Sequence, residues 1–148
     1  LAALATIPAV DSVAVAATAP ATPPAGGAAA QAEAGAWQSW SAGRVQELRA
    51  QGKPVFVNFT AAWCITCLVN ERSTLATDAV QAGFERAGVA LLKADWTRRD
   101  RTISDALAGF GRSGVPLYVL YPADPSQPPR VLPQILTEAG VLAELNRL

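Results

Sequence analysis

The sequence predicts one α/β sandwich over residues 37–148, with a central mixed β-sheet flanked by helices. Three apolar runs carry the sheet: VFVNFT (55–60), VALLKADW (89–96) and VPLYVLY (115–121). Each is short, and the first is almost continuously β-branched or aromatic, as expected of a strand buried on both faces. Segments of helical period separate the runs, and strands that alternate with helices imply parallel pairing. A chain of 148 residues suits one domain of common size.

The elements follow in order. In SWSAGRVQELRAQGKP, Ser41 is placed to cap a helix, Val45 and Leu48 lie one turn apart, and Gly52 with Pro54 stops it. After the first strand, a helix is expected from the cysteines to about Arg72. A second helical piece runs from Thr77 with Val80, Phe84 and Ala87 on one face and Gly88 as its stop. Beyond the second strand Asp100 caps a helix carrying Ile103, Leu107 and Phe110, ended by Gly111 and Gly114. The third strand is followed by a Pro- and Asp-rich turn, and RVLPQ can return as an antiparallel edge strand. TEAGVLAELNRL closes the chain as a helix, amphipathic through Val141, Leu142, Leu145 and Leu148.

Residues 1–36 differ in kind. They contain sixteen alanines, no aromatic residue, and only Asp11 and Glu33 as charges. LAALATIPAVDSVAVAA is too short and too interrupted for a membrane span; a leader remnant, the end of a preceding membrane helix, or linker all suit it. TAPATPPAGGAAAQAEAGA reads as a disordered spacer that cannot bury a core, and about 20 such residues reach roughly 25 Å root-mean-square. Because it begins with Leu rather than Met, the chain is expected to be a processed or cut piece of something longer.

Composition excludes several function classes. Twelve basic and twelve acidic side chains give zero net charge, and no Lys/Arg block exceeds two in a row, so no nucleic-acid surface is expected. The modest cluster Arg98, Arg99 and Arg101 reads as a solvated loop. Histidine is absent, which removes His-based acid–base catalysis, catalytic triads and nearly every zinc site. GFGRSG (109–114) lacks the spacing and ending of a phosphate-binding loop.

Chemistry therefore rests on FTAAWCITCLVNER (59–72), which holds both cysteines. Two thiolates cannot complete a tetrahedral zinc site unless a second chain contributes ligands. A permanent disulfide between them would close a very short loop and constrain the unfolded chain little. Redox chemistry suits the placement better. Cys64 opens a helix directly after a buried strand, where unsatisfied N–H groups and the helix dipole favour a thiolate. Cys64 is expected to be exposed and nucleophilic, with Cys67 on the same side of the helix and within disulfide reach.

Residues 37–148 resemble a thioredoxin-fold domain, and more narrowly the C-terminal periplasmic domain of the DsbD family of transmembrane reductases. VFVNFTAAWCITCLVNER, LLKADWTRRD and FGRSGVPLYVLY carry the resemblance. The C-x-T-C-x-x-N-E continuation and GRSGVPLY point to this branch rather than to the superfamily at large. By that resemblance Cys64 is the attacking cysteine, Cys67 the resolving one, and Trp63 packs beside them. Pro116 would follow a cis peptide bond opposite the cysteines, and the backbone of Val115 would pair with an extended partner segment.

The resemblance also makes Glu71 an acidic residue near the cysteines, and its spacing of four from Cys67 supports one turn of separation on the same helical face. If buried there, it would have a raised pKa and exchange a proton with Cys67. A solvent-facing Glu paired with an Arg is the simpler alternative. Where many relatives carry a buried Asp, this chain has Asn58, whose amide can hydrogen-bond but cannot take up a proton. Lys93 falls where thioredoxins have a lysine; without an Asp partner it is expected to reach solvent.

The resemblance implies a protein-disulfide reductase needing no organic cofactor or metal. Electrons would come from a membrane-embedded cysteine pair and leave to periplasmic thioredoxin-like acceptors, in a periplasmic domain tethered to the inner membrane and monomeric in isolation. An independent periplasmic thioredoxin, serving for example cytochrome maturation, and a non-catalytic binding module are the rival readings.

Overall fold

A computed structural model describes residues 36–148. The linker expected over residues 1–36 lies, up to residue 35, outside the described residues. Five strands form one sheet in the order β1-β3-β2-β4-β5, where β1 is Gln38–Ser39, β2 Val55–Thr60, β3 Ala90–Asp95, β4 Leu117–Tyr121 and β5 Arg130–Leu132. Helices α1 (Ala42–Ala50), α2 (Ile65–Asn70), α3 (Asp78–Ala87), α4 (Arg101–Gly109) and α5 (Glu138–Asn146) connect and cover them. Among the described residues no helix is long and apolar enough to cross a membrane.

Strand β2 is the axis of the domain, and all six of its residues are buried. Its alternation sends Val55, Val57 and Phe59 to one face, where they meet Val45 and Leu48 of α1 and Ile103 and Leu107 of α4. Phe56 points to the other face, against Val80 and Phe84 of α3 and Val141 and Leu145 of α5. Both layers are apolar, and burial of these large side chains, about 1.5–3 kcal/mol each, holds the sandwich together.

The helix starts follow the expected residues. Ser41 accepts the Arg44 N–H at 3.0 Å, Thr77 the Val80 N–H at 3.4 Å, and Asp100 the Ile103 N–H at 3.1 Å. Gly88 ends α3 in the left-handed region, at φ 65°.

Four features depart from expectation. β1, two polar residues beside β3, carries no apolar signal and was not foreseen. The helix after the cysteines does not run on to Arg72 as an α-helix. It becomes a π-helical turn over Glu71–Leu75, closed by an Ala76 N–H to Glu71 C=O bond of 2.8 Å. Leu148, placed on the apolar face of the last helix, is exposed, because α5 ends at Asn146.

The fourth departure matters most. β2 and β3 pair in parallel as expected, but β4 runs antiparallel to β2. The connection over residues 96–116, with α4 inside it, turns back on itself, so the chain re-enters the sheet at the edge it left, with Leu117 opposite Phe59 and Tyr121 opposite Val55.

Candidate active site around the cysteine pair

That reversal brings three segments together. β2 and β3 end at one edge of the sheet, and β4 begins there. Residues 61–67 after β2, residues 96–100 after β3, and Val115-Pro116 before β4 consequently converge.

Cys64 is the N-cap of α2, in extended conformation (φ −89°, ψ 102°), its own N–H bonded to the Ala61 carbonyl at 3.1 Å. Cys64 and Cys67 form a disulfide, with their Cα atoms 5.3 Å apart. The Cys67 N–H points at the Cys64 sulfur, 3.2 Å away. Both cysteines are buried, and they are not equivalent: Cys64 keeps 7% exposure and Cys67 none. Cys64 was expected to be exposed, and this corrects the expectation. In the disulfide its sulfur is turned toward Cys67, and Ala61 and Val115 pack on the pair.

The Val115–Pro116 bond is cis, as the resemblance implied. Pro116 is buried and Val115 half-buried against the cysteines. Val115 lies outside the β2–β4 ladder, which begins at the Phe59–Leu117 pair.

Trp63 stands beside the pair at 48% exposure, fixed by its neighbours rather than free. Its indole N–H donates to the Thr97 carbonyl at 3.0 Å, and its ring lies 5.8 Å from that of Trp96. The Thr97 hydroxyl accepts the Ala62 N–H at 2.9 Å and donates to the Asp95 carboxylate, which also takes the Thr97 N–H at 3.0 Å. Burial pushes the Asp95 carboxyl up, but these two bonds, with Lys93 and Arg98 nearby, hold it below the ordinary carboxylate range. Arg99, at φ 52°, lays its guanidinium over Trp63 and Trp96 at 5.1 and 5.4 Å. Trp96, Thr97 and Arg99 were missed from sequence. Their signal was position: they follow a parallel strand at its C-terminal end, where α/β sheets place their sites.

Beneath the cysteines, Asn58 is buried, and its side-chain N–H donates to a Glu71 carboxylate oxygen at 3.1 Å. The Asn58 side-chain oxygen, Oδ1, has no partner among the described residues. The Glu71 N–H bonds to the Cys67 carbonyl, which sets Glu71 one turn from Cys67 as the spacing implied. Glu71 is half-buried, not buried, because its turn opens onto a cleft of about 160 Å³ lined by Thr60, Leu68, Glu71, Lys93, Asp95 and Thr97. Lys93 is exposed at the same cleft, in register with Asn58 across the β2–β3 pair.

Asn70, between the cysteines and Glu71, does structural work that sequence did not reveal. Buried, it donates to the Tyr118 hydroxyl at 2.9 Å and the Gln134 carbonyl at 2.7 Å, and accepts the Leu136 N–H at 3.1 Å. It ties α2 to β4 and to the segment after β5. Burial, and secondarily the nearby Glu71 charge, push the Tyr118 phenol up to about 12 against the lowering effect of the Asn70 bond.

A family profile described as thioredoxin-like matches residues 36–123. The chain belongs to the thioredoxin-like family. It is 34% identical over 85 residues to the thiol:disulfide interchange protein DsbD of Ralstonia nicotianae, and 34% over 73 residues to DsbD of Yersinia pestis. Those matches cover 57% and 49% of this chain, but only 14% and 12% of the relatives' length. Among solved structures, the oxidised C-terminal domain of Neisseria meningitidis DsbD superposes with a TM-score of 0.58 at 19% identity, covering 76% of this chain and 98% of that one. A thioredoxin from Thermus thermophilus gives a TM-score of 0.59 at 17% identity, covering 75% and 85%. The fold is the thioredoxin fold, and the domain is related to DsbD. That kinship, with the Cys64–Cys67 pair, supports thiol–disulfide oxidoreductase activity.

Proposed function

We propose that this domain is a protein-disulfide reductase module acting through Cys64. The inequality of the two cysteines carries the reading: Cys64, at the N-cap, keeps a little exposed surface for an incoming partner to meet, while Cys67 has none. In the reduced domain, the N-cap position and the Cys67 N–H favour a thiolate at Cys64. That thiolate attacks one sulfur of the partner's disulfide; a Cys64–partner disulfide forms, and the partner's other sulfur leaves as thiolate. Cys67 then loses its proton and attacks the Cys64 sulfur. The Cys64–Cys67 disulfide closes, the partner's second thiolate departs, and two electrons have moved to the partner.

Glu71 is the proton acceptor for Cys67 in this scheme. It sits one turn away, with Asn58 anchoring one carboxylate oxygen and the cleft leading toward solvent. Val115 offers free backbone edge on which the partner's chain can lie extended, with Trp63 as its flank. By kinship with DsbD, the donor is a membrane-embedded cysteine pair, the acceptors are periplasmic thioredoxin-like proteins, and the domain works in the periplasm on a membrane tether.

Insulin reduction, with Cys64→Ser as control, tests the proposal. The native chain is expected to accelerate precipitation of the insulin B chain. A native rate no faster than the mutant's would leave only a binding module.

A further inference from the structure

Resting on the exchange reading, the loop after β3 says what kind of disulfide the site takes. Arg98, Arg99 and Arg101 are all exposed, and none forms an ion pair among the described residues. The nearby carboxylates are engaged within the loop: Asp95 with the Thr97 hydroxyl and N–H, Asp100 with the Ile103 N–H. Asp105, one turn beyond Arg101 in α4, makes no ion pair with it.

Neither placement favours stability. Arg101 is the first residue of α4, where the helix dipole repels a cation, and Arg99 sits in the left-handed backbone region that L side chains avoid. The turn at Arg99 carries its guanidinium back over Trp63, the residue that precedes Cys64. A cation is thereby fixed over the half-exposed Trp63 (48%), with the exposed Ile65 (76%) on the other side of Cys64 in the chain. Lys93 adds a further charge on the same edge, felt like Arg98 at Asp95.

We propose that Trp63 and Ile65, bordered by Arg98, Arg99 and Arg101, form the docking surface for the protein disulfide this domain exchanges with. The partner presents carboxylates beside its reactive cysteine. The apolar centre supplies contact, and the basic border steers and selects. A solvated loop, the simplest reading of the arginine cluster, leaves both the strained turn and the cation stacked on Trp63 without a purpose.

Three disulfide-cyclised peptides of equal length test this, with Glu, Lys or Ser flanking each cysteine. The pre-reduced 148-residue chain is mixed with each, and single-turnover reduction is followed by acid quench and mass analysis. At about 20 mM salt the Glu peptide is expected to react about tenfold faster than the Lys peptide. The ratio should fall toward one at about 300 mM salt, where exposed charges are screened. In the R98Q/R99Q/R101Q variant the ratio should lie within about twofold of one even at low salt. Because the readout is a ratio within one protein, a general loss of activity in the variant cancels. A wild-type ratio near one or inverted, or a ratio that survives removal of the arginines, overturns the proposal. Equal reduction of all three peptides would overturn the docking proposal and leave the exchange reading standing; no reduction of any of the three overturns both.

Discussion

The Asn58 side-chain N–H and the Glu71 carboxylate meet at 3.1 Å under the cysteine pair. The family resemblance implies a carboxyl at the strand position, which would put two acids in contact. Here an amide donates to the single acid, so Glu71 keeps a hydrogen-bond partner that never competes for its proton.

Asn58→Asp converts this contact into a carboxylate pair, in which repulsion raises one pKa above its unfolded value. A raised carboxyl pKa means that the folded form prefers the protonated acid. The destabilisation is then absent below the unfolded pKa and grows as pH rises through the folded one. Urea unfolding is expected to show a loss of about 1–3 kcal/mol at pH 7 that narrows by pH 5. An equal gap at both pH values would mean that the two side chains do not share a proton.

Glu71→Gln keeps the Asn58 contact but removes the carboxylate proposed to accept the Cys67 proton. Disulfide exchange should slow by about 100-fold, with a change in the shape of its pH profile. Stopped-flow exchange across pH 5–9 provides the check; superimposable profiles for variant and native chain would remove Glu71 from the chemistry.

Much of this arrangement was readable in the sequence, and the unread part has a common cause. Val55 to Thr60, the caps Ser41, Thr77 and Asp100, and the Cys64–Cys67 spacing are local signals, and all lie where expected. The cis bond before Pro116 was implied only by resemblance. What remained hidden depends on contacts distant in sequence. The direction of β4 is seen only in its pairing with β2, and β1 only in its pairing with β3. The cover over Cys64 comes partly from Val115, 51 residues away. Thr97 and Arg99 looked like loop residues because their partners, Ala62 and Trp63, lie more than 30 positions earlier.

Asn70 illustrates the same point. Its three hydrogen bonds leave a buried acceptor and a buried donor stranded if the amide is removed. Asn70→Ala should cost about 2–4 kcal/mol, lowering the midpoint of thermal unfolding by roughly 10 °C or more. A shift of only a degree or two would show that the tie between α2 and the segment after β5 carries little of the stability.

The two tyrosines give a spectroscopic test of the packing beneath the site. Tyr118 should ionise at about 12, and burial also pushes Tyr121 up, against the nearby Arg49 charge. Because the folded pKa of Tyr118 exceeds the unfolded value, its contribution to stability is complete below about pH 10 and is lost as pH rises through 12. Absorbance at about 295 nm during alkaline titration reads this directly; two normal phenols near 10 would show that Tyr118 is not buried beneath the site.

Alkylation of the reduced chain tests the central claim most directly. After full reduction, a brief pulse of iodoacetamide at a series of pH values, followed by peptide mapping, reports which sulfur is reachable and ionised. Cys64 should be modified first, with an apparent pKa below the ordinary thiol value of about 8.5, while Cys67 stays protected. Modification of Cys67 before Cys64, or a Cys64 inert across the whole range, would contradict exchange through Cys64.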